Sequence, residues 1–179
     1  MAQNINNQNP QDFHTFMNYP QPPNTPGIIV PQRVYRRATG QNGFNPLPPI
    51  RFFANGFLGL HLESALVPGN ELDNAETTPP LSETNIRPHA YLISQWPGYD
   101  EWTMLNALTA NLGNRPVTLA QIANQAATRV QQFYNDMLHA TGGDPHWALQ
   151  NIPFRALSLV ELRNVSQGSW QPVLCHSPT

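Results

Sequence analysis

The longest run of helical periodicity in the chain extends from Leu119 to about Ala140, and it constrains the fold more than any other segment. Thr118 precedes the run and Gln121 follows three positions later, which is the arrangement of a capping box at a helix start. Apolar residues recur at spacings of three and four and predict a helix with one buried face, used for core packing rather than as a binding groove. The apolar stripe comprises Leu119, Ile122, Ala123, Ala126, Ala127, Val130, Phe133, Tyr134, Met137 and Leu138.

Short apolar segments elsewhere predict strands. Ala90–Ser94 is an apolar, β-prone run that indicates a central strand. Phe154–Val165 and Trp170–Cys175 predict two strands joined by a Ser-Gln-Gly turn, with the mixed alternation of a sheet buried on both faces in places. Arg33–Ala38 is a further strand candidate, and Ile28–Val30 predicts an edge strand limited by the flanking prolines.

Prolines and glycines predict how these elements are connected. Pro48-Pro49 fits the first turn of a short helix that Gly56 would end. Glu101–Ala110 predicts another short helix. Pro68–Pro88 is a long, acidic, proline-interrupted loop, which we interpret as either a functional lid or a mobile segment. Together these features predict an α+β fold.

Composition excludes several classes of function. The 179 residues have a formal net charge of −2 and 11% charged residues, so we expect no long-range attraction to nucleic acid or to an anionic membrane. No run approaches about twenty apolar residues, which argues against membrane insertion. The N-terminal residues show neither the basic start nor the apolar run that is typical of a conventional signal peptide. We therefore expect a protein that is cytoplasmic or released without such a peptide.

Cys175 is the single cysteine, which excludes an internal disulfide and a Cys-rich zinc site, and we expect it to be buried.

The chain divides into two parts by composition. Residues 1–31 are rich in Asn, Gln and Pro and predict an N-terminal arm, whereas residues 32–179 predict a single domain. The histidines show no ligand spacing on a common helix face, so we expect no classical metal site. They are His14, His61, His89, His139, His146 and His176.

One set of motifs follows an unusual order. A strand ending in Val34-Tyr35-Arg36-Arg37 is followed by a proline pair, an apolar turn and Gly56-Phe57. This order resembles the opening of the mono-ADP-ribosyltransferase toxins of the cholera-toxin and pierisin-like type. Ala90–Ser94 lies where that family has its aromatic-β-Ser-Thr-Ser strand, and the stretch from Trp147 to Val165 is similar to the family's segment after the catalytic strand. All nine basic residues are arginine, and toxin chains of this kind are often lysine-poor.

The resemblance implies an ADP-ribosyltransferase-like split antiparallel sheet and NAD as the cofactor. It implies that Arg36 binds the dinucleotide phosphates and that Ser94 supports the ribose pocket. Tyr35, Phe57 and Tyr91 complete the implied NAD-binding set. Arginine suits the phosphate role because its planar fork is always charged and binds oxyanions through two donors.

The catalytic carboxylate is the point of departure from the family. Breaking the nicotinamide–ribose bond develops positive charge on the ribose, which a carboxylate must offset. The paired glutamates of the family would fall near Asp144-Pro145-His146, where no Glu-x-Glu occurs. Asp144, His146 or Glu161 could take this role. The alternatives are an ordinary loop histidine, a solvent-facing strand glutamate and a fold that has lost transferase activity.

A second resemblance concerns ribosome-inactivating N-glycosidases. Gln125–Arg129 on the long helix is similar to their Glu-Ala-Ala-Arg helix, with the acid replaced, and Gly168–Trp170 is similar to the Ser-Trp that follows it. The motifs Trp96-Pro97-Gly98-Tyr99 and Gly168-Ser169-Trp170-Gln171-Pro172 resemble those of ledodin-type ribosome-inactivating proteins of mushrooms. This similarity implies that Tyr91 or Tyr99 stacks on the target adenine and that Arg129 protonates the leaving base, with Gln125 beside it.

A third interpretation is a non-catalytic binding or defence protein. The four tryptophans, with tyrosines nearby, would then line a partner surface, although such residues also fill cores in which charges are scarce. They are Trp96, Trp102, Trp147 and Trp170. For the enzymatic interpretations we expect a protein or nucleic-acid acceptor, which includes ribosomal RNA, and a monomer.

Overall fold

A hairpin of two long strands forms the centre of the protein in the computed structural model. The structure describes residues 25–32, 45–67, 71–79, 90–94, 96–140, 144–166 and 168–178. The strands are β1 (Ile28–Ile29), β2 (Ile50–Arg51), β3 (Phe53–Ala54), β4 (Phe57–Leu58), β5 (Leu60–His61), β6 (Ala90–Ser94), β7 (Trp102–Leu108), β8 (Asn111–Leu112), β9 (Arg115–Pro116), β10 (Leu157–Ser166) and β11 (Ser169–His176). The helices are α1 (Leu62–Ala65) and α2 (Leu119–Met137), with single 3-10 turns at Pro145–Trp147, Leu149–Asn151 and Phe154–Ala156.

The main sheet has the strand order β2-β10-β11-β6-β7, with β1 paired to β11 and β5 paired to β10. The pair β11–β6 is parallel and the other described pairs of this sheet are antiparallel. Two short hairpins, β3–β4 and β8–β9, lie outside it. The described residues therefore form a mixed α+β fold in which antiparallel pairing dominates, which confirms the α+β part of the prediction.

The two faces of the β10–β11 hairpin contribute side chains to two different hydrophobic cores. Leu159, Leu162 and Leu174 belong to the large core that also contains the buried face of α2. On the opposite face, Val160 and Cys175 form a smaller core with Leu58 and Val173. An irregularity in the register between Leu159 and Glu161 shifts the alternation between these two faces.

Helix α2 confirms the helix prediction, including its start. The Thr118 hydroxyl accepts from Gln121 N at 3.3 Å, and Gln121 Oε1 accepts from Thr118 N at 2.9 Å, so both halves of the capping box are present. Two further N–H groups of the first turn donate to the 71–79 segment: Leu119 N to Thr77 O at 2.7 Å and Ala120 N to Ala75 O at 2.9 Å. The described part of the long acidic loop is therefore packed against the helix start, rather than free as a mobile loop would be.

The predicted helix over Glu101–Ala110 is wrong, because these residues form β7. Trp102 and Met104 are half-buried while Thr103 and Leu105 are exposed, which is the two-residue alternation of a strand. Pairing with β6 supplies the backbone hydrogen bonds, so tertiary context decides the conformation.

The predicted helical turn from Pro48-Pro49 to Gly56 is also wrong. The segment forms β2 and then the β3–β4 hairpin, whose two turn residues, Asn55 (φ 52°) and Gly56 (φ 81°), have positive φ. This is the type I′ geometry that Asn-Gly favours, because its twist matches that of the flanking strands. Glycine is therefore required for the hairpin, not for a helix end.

The remaining strand predictions agree with the structure except at two ends: Phe154–Ala156 forms a 3-10 turn before β10, and Val30 lies beyond the end of β1. Ala90–Ser94 is an interior strand between β11 and β7, and the last two predicted strands correspond to β10 and β11. Ile28–Ile29 pairs with β11 as the predicted edge strand. The predicted strand at Arg33–Ala38 lies outside the described residues. Among the helices of the described residues, none has the length and apolar character to cross a membrane.

Candidate functional site

One edge of the main sheet gathers aromatic and polar side chains from distant parts of the chain. Because β6 and β11 are parallel, their carboxyl ends lie at this edge, and the antiparallel strands β7 and β10 begin there. The register pairs Ser94 with Trp102 and His176 with Leu157. The 3-10 turns that precede β10 lead into the same edge. We name five residues here the edge cluster: Trp96, Tyr99, Trp147, Gln150 and His176.

Two tryptophans join the end of β6 to the first 3-10 turn. Trp96 Nε1 donates to the Trp147 carbonyl oxygen at 2.6 Å, and the two rings meet edge to face at 6.3 Å between centroids. The Trp147 ring also meets the His176 ring edge to face at 6.4 Å. Trp96 is buried, whereas Trp147 and His176 are half-buried. These contacts fix the turn against the ends of β6 and β11.

Tyr99 and Gln150 hold the second 3-10 turn. Tyr99 follows a turn in which Gly98 has φ 77°, and its hydroxyl accepts from Leu149 N at 3.1 Å. The same hydroxyl donates to Gln150 Oε1 at 3.4 Å, and Gln150 Nε2 donates to Leu138 O at 2.7 Å. The hydroxyl of Tyr99 is therefore occupied in binding the turn.

Tyr134 on α2 anchors the same segment from the helix side. Its hydroxyl donates to Ile152 O at 2.9 Å, with Leu149 O at 3.3 Å as a second acceptor. Burial raises the pKa of Tyr134, and a backbone hydrogen bond at Phe154 partly opposes this effect. The segment before β10 is thus fixed by hydrogen bonds from both the sheet edge and α2.

Asp144 and His146 stand at the outer side of this fixed segment. Asp144 caps the first 3-10 turn, with Oδ1 accepting from His146 N at 2.9 Å, and both side chains are exposed. Trp147 follows immediately and is bonded to Trp96, two positions after Ser94. The structure therefore brings the predicted Asp144 and His146 to the same sheet edge as the carboxyl end of the Ser94 strand.

Glu161 is buried, so its interpretation as a solvent-facing strand residue is wrong. Its side chain is 0% exposed, although it is charged. Oε2 contacts Arg51 Nε at 3.4 Å, and Oε1 pairs with Arg163 Nε. Both carboxylate oxygens are therefore engaged by arginines, because a buried charge requires partners. A catalytic role for Glu161 would require these pairs to open and stays a prediction.

The residues of the alternative glycosidase site are divided between two edges. Tyr91 pairs with Ser169 near the opposite edge, where Gln125 Oε1 accepts from Thr109 N at 2.7 Å just beyond the end of β7. Tyr99 precedes the start of β7. At the rise per residue of a β-strand, the start of β7 is roughly 20 Å from its end, where Gln125 lies. Arg129 lies one turn after Gln125 on α2 and donates to Gln132 Oε1 at 3.4 Å.

The structure describes only some of the residues that were predicted to bind NAD. Tyr35 and Arg36 lie outside the described residues. Phe57 is in β4 and is 61% exposed. Tyr91 and Ser94 are the second and last residues of β6.

Two groups of interacting side chains escaped prediction from the sequence. Arg51 was not singled out, because it is 110 positions from its partner Glu161. A buried amide pair was also missed: Gln171 Nε2 donates to Gln32 Oε1 at 3.5 Å, and Gln32 Nε2 donates to the carbonyl oxygen of residue 172 at 2.7 Å. No local sequence signal marks pairs so far apart.

Within the described ranges, no three His, Cys, Asp or Glu side chains are grouped so that they could hold a metal ion.

Comparison of the chain with models of protein families, with curated proteins and with solved structures gives no match.

Proposed function

We propose that this chain is a toxin-like enzyme of the mono-ADP-ribosyltransferase type, which breaks the bond between nicotinamide and ribose in NAD. In this proposal the main sheet is one part of the split antiparallel sheet of that family. The ADP-ribosyl group passes to a protein or nucleic-acid acceptor, nicotinamide is the leaving group, and the chain acts as a monomer.

One observation carries the proposal. Two of the three segments that resemble the family, the Ser94 strand and the segment around Trp147, meet at one sheet edge through the hydrogen bond from Trp96 Nε1 to Trp147 O. They are 51 positions apart in the sequence, so their contact is not a consequence of chain proximity. An active site assembled from these motifs requires such a contact.

Asp144 is the carboxylate that best fits the chemistry. As nicotinamide leaves with the electron pair of the C–N bond, positive charge develops on the ribose, and a carboxylate close to it lowers the barrier. Asp144 is exposed and uses one oxygen, Oδ1, to cap its own turn. Glu161, in contrast, has both oxygens paired with arginines. His146 is two residues from Asp144 and can move the proton of the acceptor.

Binding of NAD to the full chain tests the proposal. Replacing Arg36→Ala removes the proposed phosphate ligand, and we expect NAD affinity to fall by at least about tenfold, the effect of losing a charge-assisted hydrogen bond. Arg37→Ala is the matched control, because successive residues of the predicted strand point to opposite faces. Equal NAD affinity in wild type and Arg36→Ala, measured by isothermal titration, would contradict the proposal.

A second candidate function is an rRNA N-glycosidase without a cofactor. It is favoured by the pairing of Tyr91 with Ser169, which places the Gly168–Trp170 motif beside a candidate adenine-stacking residue. The α2 residue Gln125 is fixed at the same edge by Thr109. Depurination of ribosomes in a translation extract, lost in Arg129→Ala and kept in Arg115→Ala, is the result expected from this candidate and not from the first.

A further inference from the structure

The tip of the β3–β4 hairpin carries an Asn-Gly pair that is open to solvent. Asn55 and Gly56 are both exposed, and a Cβ atom added at Gly56 would meet nothing within 4 Å. In an Asn-Gly pair the backbone nitrogen of the glycine can attack the side-chain amide of the asparagine, because glycine has no side chain to obstruct the approach. The tip therefore contains the groups that a spontaneous deamidation requires.

Deamidation at this pair exchanges an amide nitrogen for an oxygen atom of water. The nitrogen of Gly56 loses its proton to a base in the solvent and forms a bond to Cγ of Asn55. Ammonia leaves with the electron pair of the former C–N bond and a proton from the solvent. Water then opens the five-membered imide at either of its two carbonyl carbons, which gives aspartate or isoaspartate. The first step thus requires a free nitrogen that can approach Cγ.

The geometry of the closed hairpin opposes that approach. Asn55 has φ 52° and Gly56 has φ 81°, as in a type I′ turn. In such a turn the first central residue has ψ of about +30°. At this ψ the nitrogen of the following residue is turned away from Cβ, and therefore from Cγ beyond it. The hairpin must open before the Gly56 nitrogen can reach the side chain of Asn55.

Asp73 binds the nitrogen that would attack. Gly56 N donates to Asp73 Oδ2 at 2.7 Å. The strand pairing next to the turn joins Ala54 to Phe57 and leaves this N–H at the tip, where the carboxylate accepts it. Loss of the proton would place a second negative charge beside the carboxylate, which is unfavourable. The hydrogen bond therefore stabilises the turn and also opposes the first step of deamidation.

Asp73 is itself fixed against the hairpin. Its backbone N donates to Phe53 O at 2.8 Å, and the preceding residue, Leu72, forms an antiparallel bridge with Ala54. Leu72 is buried in the large core. The carboxylate is therefore held beside a turn that is 17 positions away in the sequence.

We propose that Asn55 is a site of spontaneous deamidation that the closed hairpin protects, with Asp73 as the protecting residue. The reaction proceeds when the hydrogen bond between Gly56 and Asp73 opens. Its product has a carboxylate at position 55 close to that of Asp73, and like charges repel at this distance. Isoaspartate also lengthens the backbone of the two-residue turn by one carbon atom. The modification therefore weakens the hairpin irreversibly. It does not involve the edge cluster or the proposed reaction there.

Mass spectrometry of peptides from the aged full chain tests the proposal. The sequence offers an internal reference, because Asn42-Gly43-Phe44 repeats the residues of Asn55-Gly56-Phe57. In urea the reference gives the rate of an unprotected pair, and Asn55 should deamidate at a similar rate. In the folded wild type, Asn55 is expected to deamidate at least about tenfold more slowly than in urea, since a charge-assisted hydrogen bond must first open. Equal rates at Asn55 in the folded and unfolded chains would overturn the proposal.

Variants of Asp73 test its part in the protection. Asp73→Ala removes the acceptor, and we expect deamidation at Asn55 to become about tenfold faster than in the folded wild type. Asp73→Asn keeps an acceptor without the charge and should give an intermediate rate, which also supplies the comparison if Asp73→Ala does not fold. Asp100→Ala, which removes an exposed carboxylate before β7, is the charge-matched control and should keep the wild-type rate. Wild-type rates in the Asp73 variants, or equal acceleration by Asp100→Ala, would overturn the proposal.

Discussion

Trp96 donates a hydrogen bond from its indole Nε1 to the backbone carbonyl oxygen of Trp147, with 2.6 Å between the two atoms. The contact joins the segment after β6 to the first 3-10 turn before β10. Trp96 is also packed against Phe133 of α2, with 6.1 Å between ring centroids. A single side chain therefore connects the sheet, the long helix and the turn that contains Asp144.

The Trp96→Phe substitution tests this connection. Phenylalanine keeps an aromatic ring but lacks the donor, and it leaves a cavity at a position that is 1% exposed. We expect the free energy of unfolding to fall by about 1–3 kcal/mol, from the lost hydrogen bond and the cavity together. Trp102→Phe is the control, because its bond to Asp136 at 3.2 Å is solvent-exposed and should contribute less. Urea denaturation measures both losses. Equal losses of unfolding free energy in Trp96→Phe and Trp102→Phe would show that Trp96 contributes no more to stability than Trp102.

The Glu161 ion pairs predict an order of mutational effects. Glu161→Gln leaves two arginines without their buried counter-charge and should lower the free energy of unfolding by about 3 kcal/mol. Arg163→Gln should cost less than Glu161→Gln but more than Arg51→Gln, because the side chain of Arg163 is 27% exposed and that of Arg51 is 54% exposed. Chemical denaturation of the three variants measures the order. A smaller effect for Glu161→Gln than for Arg51→Gln would be inconsistent with a buried carboxylate at the centre of the group.

The capping box of α2 can be tested by a double-mutant cycle. Thr118→Ala removes the side-chain acceptor for Gln121 N and should lower the free energy of unfolding by about 1 kcal/mol. Gln121→Ala removes the reciprocal bond to Thr118 N. Because both bonds belong to one motif, the double variant should lose less than the sum of the two single losses. Strict additivity would argue that the two bonds act independently.

Alkaline pH should destabilise the protein through Cys175. Burial raises the pKa of its thiol to about 12, partly opposed by hydrogen bonds with Ser158. The thiol of the unfolded chain, with a pKa of about 8.5, ionises first, so unfolding releases a proton above that pH. The contribution of Cys175 is complete below about pH 8 and decreases by up to about 1.4 kcal/mol per pH unit towards pH 12.

Comparison with Cys175→Ala isolates this contribution. Alanine leaves a small cavity and should lower stability at neutral pH, but it does not titrate. Between about pH 9 and pH 11 the urea midpoint of the variant should therefore decrease less steeply than that of the wild type. Parallel pH profiles for the two proteins would contradict a buried, protonated thiol.

Helix α2 could be predicted from the sequence because its signals are local. The capping box lies within four residues and the apolar stripe within one element, so no distant contact was needed. The type I′ hairpin at Asn55-Gly56 also has a local signal, but the preceding proline pair suggested a helix. Strand β7 was mistaken for a helix because its pairing with β6, not its own composition, determines its conformation.

The candidate site was less predictable than the fold. Asp144 and His146 were singled out only through the family resemblance, at the place where its paired glutamates would fall. Their fixation by Trp96 and Tyr99 depends on contacts across about fifty positions, which no spacing rule reveals. The ion pair between Glu161 and Arg51 likewise joins two strands that are distant in the sequence.

Release of nicotinamide from NAD by the full chain is the most direct test of the proposed function. The wild type is expected to release nicotinamide above the spontaneous rate, and Asp144→Asn to lose at least about a hundredfold of that activity, because asparagine can still cap the turn but cannot offset positive charge. Arg115→Gln should keep wild-type activity. No release by the wild type, or equal release by wild type and Asp144→Asn, would contradict the assignment of this sheet edge as an NAD-cleaving site.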